Sequence, residues 1–212
     1  MNLPNQLTIL RIILTVFFVF FIFVPGLTFK VFALVVFSAA ALTDWLDGKI
    51  AKSRNLITNF GKIMDPIADK ILVLGAFLSF IQLQLIPAWT VVVIIGRESA
   101  ITSLRFFALS KGRVIAASKG GKYKTVSQMA AIFIILISLI FKEAFRIGCS
   151  TGQGAVVGLP IAQATSYPAF DRYAGIVVYL AMLVTVLLTL ISGVSYVWDN
   201  RMLFTEVKDE PR

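Results

Sequence analysis

Long apolar runs without a single charge constrain this chain more than any other feature. Residues 12–29, 71–96, 125–141 and 173–198 contain no Asp, Glu, Lys or Arg. A helix that crosses a bilayer needs about 20 predominantly apolar residues. In hydrocarbon every backbone polar group must be satisfied within the protein, which selects helices for such runs. The expected fold class is therefore all-α, a polytopic membrane protein. Composition agrees, with 58% of the 212 residues apolar and 15% charged, against about 45–50% and 25% in soluble domains.

The pattern predicts six transmembrane helices. The first covers about 7–24 and ends at Pro25-Gly26. The second begins near Thr28, is apolar to Thr43, and meets nothing that breaks a helix before Asn55. The others are expected at about 61–86, 87–109, 123–141 and 174–198. One membrane domain over 1–204 and a disordered polar tail over 205–212 complete the expected organisation. Arg11 sits inside the first apolar run, and Val24-Pro25-Gly26 is a poor cleavage site, so the first helix is expected to stay as an anchor.

Charge sets the orientation. Lys49, Lys52, Arg54 and Lys62 fall between the second and third helices. Arg105, Lys111, Arg113, Lys119, Lys122 and Lys124 crowd around the connection between the fourth and fifth. Short Lys/Arg-rich loops stay cytoplasmic, which places both basic loops and both termini inside. The opposite side has Lys30 in the first turn and a long outer connection over 142–172, to which the sequence assigns no role. The formal net charge of +9 reads as this topology signal together with attraction to anionic lipid heads or phosphorylated substrates. So apolar a chain is not expected to bind nucleic acid.

Two absences narrow the chemistry. Cys149 is the only cysteine and there is no histidine. This excludes an intrachain disulfide, a thiolate metal cluster, and an imidazole base or zinc ligand. Carboxylates, Lys, Arg or hydroxyls must do the work.

Residues 43–70 read TDWLDGKIAKSRNLITNFGKIMDPIADK. Four carboxylates lie at the inner edge of two consecutive helices, where such groups mark function by default. Asp44 and Asp47 are i, i+3, and Asp65 and Asp69 are i, i+4, so each pair shares a helix face. Four converging carboxylates raise one another's pKa unless a cation neutralises them. An all-oxygen donor set favours Mg²⁺, Mn²⁺ or Ca²⁺ over zinc. A salt-bridge network with Lys49, Lys52, Lys62 and Lys70 is the structural alternative. Gly48, Ala51 and Gly61 admit close helix packing or a flat ligand against backbone.

The same residues resemble the CDP-alcohol phosphatidyltransferase family, whose motif is D-x-x-D-G-x-x-A-R, eight residues, then G-x-x-x-D-x-x-x-D. Asp44, Asp47, Gly48, Ala51, Gly61, Asp65 and Asp69 fall at each prescribed spacing, and Lys52 stands where the motif has Arg. Lys52 keeps the charge and loses the bidentate fork. Three blocks resemble the bacterial phosphatidylglycerophosphate-synthase subfamily: Pro4-Asn5 with Thr8 and Arg11, Gly96-Arg97-Glu98 with Arg105, and Gly121-Lys122-Tyr123-Lys124-Thr125. The resemblance covers about the first 140 residues.

The resemblance implies a metal-dependent enzyme of phospholipid synthesis. Asp44, Asp47 and Asp65 would bind Mg²⁺ or Mn²⁺, and Asp69 would be the general base while also touching metal. Gly48, Ala51 and Gly61 would make room for the cytidine, with Thr8 and Lys52 at the pyrophosphate. Charge and location assign the acceptor phosphate to Arg97, Arg105, Lys122 and Lys124, and leave Lys111 and Arg113 as topology charges. The reaction implied joins CDP-diacylglycerol to glycerol 3-phosphate, giving phosphatidylglycerophosphate and CMP by direct displacement. The implied setting is a bacterial cytoplasmic membrane with the site facing the cytoplasm. The bilayer and the two substrates are the expected partners, with a second copy of the chain as the candidate protein partner. Phosphatidylglycerol, serine or inositol phosphate are rival acceptors. A cation transporter, a different class, would carry its acids near the midplane on broken helices. A prenyl-transferring enzyme is disfavoured by Gly48 and Ala51.

Overall fold

A computed structural model describes residues 3–54, 59–110, 119–152 and 168–201, with helical backbone alone for 3–5, 44–54, 59–67, 69, 119–122, 148–152 and 168–170. Among the described residues it is all-helical, with six helices: α1 Leu3–Phe23, α2 Leu27–Arg54, α3 Asn59–Gln82, α4 Ala88–Ser110, α5 Lys119–Gly152 and α6 Pro168–Asp199. Three of these contain stretches long and apolar enough to cross a membrane, Gln6–Phe23, Tyr123–Ile147 and Asp171–Asp199. Leu27–Thr43 and Lys70–Gln82 are shorter apolar helical stretches, and α4 carries Arg97, Glu98 and Arg105 within its apolar length.

Turn chemistry explains the first boundaries. Pro25 cannot continue α1, and Gly26 takes φ +110°, open to glycine without strain. The carbonyls in the last turn of a helix lack intrahelical partners. Lys30 reaches back from α2 to supply them, its ammonium donating to Ile22 O and, at 3.1 Å, to Val24 O. Lys30 is buried, so the one cation counted in the first turn is a helix cap. At the other end of the hairpin, α3 closes in a Schellman motif. Leu85 N–H donates to Phe80 O and Gln84 N–H to Ile81 O, both at 2.9 Å, with Gln84 left-handed at φ 56°.

The contacts divide the chain into two compact units. One comprises residues 1–85 and 132–178, the other 86–131 and 179–212. In the first, α1 packs on α2 and α3. Its interior is aromatic: Phe18 lies 5.4 Å from Phe37, which meets Phe133 edge-on at 5.4 Å. Phe77 and Phe80 are fully buried with them. Gly75 lets α1 approach α3, since a Cβ there would stand 3.3 Å from Thr15 Cγ2. The second unit is described with the site.

The outer connection expected over 142–172 is corrected at both ends. Residues 142–152 continue α5, and 168–172 open α6. The charges that suggested a loop are helix-compatible. Arg146 lies 3.8 Å from Glu143 at i, i+3, and Lys142 pairs with Asp171 of α6 at 2.9 Å. Residues 153–167 of that connection, the tail 205–212, and Lys111 and Arg113 lie outside the described residues.

Candidate active site

The acidic segment is helical on both sides of residues 55–58. Asp44 and Asp47 fall on α2, and Asp65 and Asp69 on α3. The i, i+3 and i, i+4 spacings therefore act on real helices, and each pair shares one face. The side chains of these four, and of Gly48, Ala51, Lys52, Gly61 and Lys122, lie outside the described residues. The fit to a metal rests on the chemistry of the donor set. Four carboxylates, with no imidazole in the chain and one thiol, suit a hard divalent cation. Among the described side chains no other group of three or more His, Cys, Asp or Glu could hold a metal.

Thr8 is fully buried on α1. Arg11 and Thr15 follow it at one-turn spacing and are buried too, with Thr15 Oγ1 donating to Arg11 O at 2.8 Å. The expected site includes Thr8 and leaves Arg11 out. The structure buries the Arg11 guanidinium fully, one turn from Thr8. The sequence signal for it is that Arg11 is the sole ionisable residue of α1, and intramembrane ionisable groups are functional candidates.

The basic residues assigned to the acceptor phosphate lie in the second unit, and the structure separates their surroundings. Arg97 turns toward α6, donating from Nη2 to Ser192 Oγ at 2.8 Å. Gly193 makes room for its stem, because a Cβ there would stand 3.1 Å from Arg97 Cγ. Arg97 also walls an apolar groove of about 450 Å³ beside α6, which ends at Trp198 and Arg201. The Arg201 guanidinium lies over the Trp198 ring at 5.0 Å. Arg105, two turns along α4, is exposed.

Lys124 faces α4. Its ammonium pairs with Glu98 Oε1 at 2.5 Å, with side chains only 11% and 18% exposed. The same oxygen accepts a hydrogen bond from Gln128 Nε2 at 3.1 Å. Consecutive residues of α4 thus serve two neighbours, Arg97 binding α6 and Glu98 binding α5. Thr185 Oγ1 of α6 adds a 3.2 Å bond to Ser127 O of α5. Glu98 and Gln128 are absent from the expected site. Glu98 meets Lys124 across 26 residues and Gln128 across 30, so no local pattern announces the cluster.

Comparison with known proteins carries the assignment further. The family model for CDP-alcohol phosphatidyltransferase matches residues 1–198. The chain is 36% identical over 211 residues to the CDP-diacylglycerol–glycerol-3-phosphate 3-phosphatidyltransferase of Bacillus subtilis, covering 94% of this chain and 95% of that one. It is 31% identical over 195 residues to the protein of the same name in Mycoplasma pneumoniae, covering 82% and 86%. With the Escherichia coli protein it shares 38% identity over 141 residues, covering 64% and 76%. The similarity thus runs well beyond the first 140 residues that the motifs delimit. The motifs end there because the later apolar helices carry few residues that chemistry singles out.

Proposed function

The chain belongs to the CDP-alcohol phosphatidyltransferase family, and we propose that it transfers the phosphatidyl group of CDP-diacylglycerol to glycerol 3-phosphate, releasing CMP and forming phosphatidylglycerophosphate. The observation that carries this reading is the near end-to-end match to a relative of that name in Bacillus subtilis. The seven motif residues at their spacing support it independently.

In this reading Asp44, Asp47, Asp65 and Asp69 hold a divalent cation, Mg²⁺ or Mn²⁺. Such a cation, when bound, neutralises charge that develops on the pyrophosphate. Gly48, Ala51 and Gly61 leave room for the cytidine, and Thr8 and Lys52 contact the pyrophosphate. Arg97, Arg105, Lys122 and Lys124 recognise the acceptor phosphate. The acceptor hydroxyl oxygen attacks the phosphorus on the lipid side. Its bond forms as the phosphorus–oxygen bond to CMP breaks, and Asp69 takes the proton. A carboxylate is the base available for this step in a chain without histidine. No covalent phosphatidyl-enzyme is needed, since the chain has no histidine nucleophile.

The setting follows from the same reading. Six helices span a bacterial cytoplasmic membrane, the acidic pairs face the cytoplasm, and residues 1–204 form one membrane domain that pairs with a second copy. The lipid tails need the bilayer, and the acceptor needs water. An acidic cluster at the inner boundary meets both demands. Cys149 then lies outside, and an impermeant thiol reagent labels it on intact cells. Labelling confined to permeabilised cells inverts the topology.

The test of the reaction uses purified protein, radiolabelled CDP-diacylglycerol, and each acceptor in turn. Label should pass to phosphatidylglycerophosphate when glycerol 3-phosphate is supplied. Transfer to phosphatidylglycerol, serine or inositol phosphate in its place would overturn the acceptor assignment. No transfer to any would overturn the reaction.

A further inference from the structure

We propose that Glu98 is a positioning residue for the acceptor, acting through Lys124. The proposal rests on the reading of Lys124 as a base for the acceptor phosphate and adds a partner that the motif does not name. Lys124 is a flexible four-carbon stem whose ammonium has three donors. Glu98 fixes one of them at 2.5 Å, and so fixes the direction of the others. Glu98 is itself held, because Gln128 Nε2 donates to the same Oε1 at 3.1 Å and Gln128 is buried. Lys124 and Gln128 are i, i+4 on α5, so both reach Glu98 from one helix face. The carboxylate is thus clamped between a residue that needs placing and one that places it.

A purely structural clamp is the plainer account of such a pair. A buried ion pair is weak support for stability, because desolvation offsets most of its attraction, and apolar residues of like volume often do as well. Apolar side chains are buried elsewhere on the same two helices, Ile94 and Ile101 on α4 and Ala131 on α5. A carboxylate beside a phosphate-binding ammonium also carries a cost for function, since it repels the phosphate. Its gain must come from geometry. The two effects have opposite signs, and that separates them.

The experiment measures KM for glycerol 3-phosphate and for CDP-diacylglycerol, kcat, and thermal unfolding of the detergent-solubilised protein. It compares E98Q, E98D, K124Q and the double variant E98Q/K124Q. K124Q should raise the KM for glycerol 3-phosphate. E98Q should raise the same KM about tenfold, less than the ~100-fold that a 1 Å misplacement can reach, with the KM for CDP-diacylglycerol unchanged. E98D keeps the charge but shortens the arm, and should raise it by less. The double variant should fall well short of the product of the two single effects, because Glu98 acts on the acceptor chiefly through Lys124. It also replaces the ion pair with two amides, so a folded sample is available if either single variant is unstable. Several results would overturn the proposal. A lower KM in E98Q would make Glu98 a competing anion. Parental KM in E98D would make it a bare charge. Simple addition of the E98Q and K124Q effects, or a change in unfolding temperature alone in E98Q, would make the pair structural. If K124Q itself leaves the KM for glycerol 3-phosphate unmoved, the acceptor reading of Lys124 fails first and the proposal with it.

Discussion

The two units of this chain bury different things. The first buries rings: Phe18, Phe37, Phe77 and Phe80 are fully inaccessible. Its small hydroxyls mostly return to their own helices, as Ser38 does to Leu34 O and Ser79 to Gly75 O, both at 2.7 Å. The second joins its helices through polar side chains, with Arg97 on Ser192, Glu98 on Lys124 and Gln128, and Thr185 on Ser127. Helices in a bilayer gain no hydrophobic drive toward each other, so van der Waals packing or polar bonds must hold them. The first unit relies mainly on packing, with the Lys30 cap and the Lys142–Asp171 pair as its polar links, and its proposed chemistry lies at the acidic ends of α2 and α3 and at Thr8 of α1. The second uses polar bonds, and Arg97 and Lys124, which make two of them, are the residues proposed to meet the acceptor phosphate. Substitutions in the aromatic interior should therefore damage folding, and substitutions among the polar bonds should damage recognition.

The largest effect belongs to the acidic helix ends. Chelation with EDTA should abolish transfer, and Mg²⁺ or Mn²⁺ should restore it. Asp44→Asn and Asp65→Asn should each lower kcat more than ~100-fold, beyond the loss of an outer-shell partner of a metal. Both variants should still insert in membranes, as fractionation would show. Full turnover in chelator would sink the metal reading.

Next comes the aromatic interior. Phe77→Ala should destabilise the protein by about 3–5 kcal/mol, read as a lower unfolding temperature in detergent, while the fraction still folded keeps parental KM values. A changed KM in that fraction would break the contrast between the units. Arg105→Ala sharpens it from the other side. Losing a charge-assisted contact of about 1.5–3 kcal/mol should raise the KM for glycerol 3-phosphate about 10- to 150-fold. Unfolding should stay unaffected, because Arg105 is exposed. The smallest effect is expected at Arg146. Its partner Glu143 is 3.8 Å away and its side chain is 73% exposed, so Arg146→Ala should shift stability by less than about 0.5 kcal/mol and leave both KM values alone.

Local signals in the sequence were sufficient where chemistry was local. Pro25-Gly26 and Pro87 mark helix boundaries because proline and glycine act on the backbone at one position. The Asp spacing over 44–69 is legible because helix geometry converts it directly into shared faces. The extension of α5 past Phe141 was not legible, since Lys142, Glu143 and Arg146 resemble loop charges until Asp171 is seen opposite Lys142. Lys30 reads as the one cation of the first turn, and its cap on α1 depends on a turn that folds the ammonium back by eight residues. Glu98 is the clearest case. The Gly96-Arg97-Glu98 block singles it out without giving it a partner, and only the pairing of α5 with α4 supplies Lys124 and Gln128.

The central claim is that the proposed transfer is one direct displacement, with both substrates present at once. Isotope exchange tests it most directly. Purified protein is given CDP-diacylglycerol and labelled CMP, with and without glycerol 3-phosphate. A covalent phosphatidyl-enzyme would release CMP before the acceptor binds and pass label into CDP-diacylglycerol in the acceptor's absence, the exchange form of ping-pong behaviour. Direct displacement predicts no exchange without glycerol 3-phosphate. Asp69→Asn should then eliminate turnover and leave CDP-diacylglycerol binding intact. Acceptor-independent exchange at a rate comparable to turnover would contradict the account.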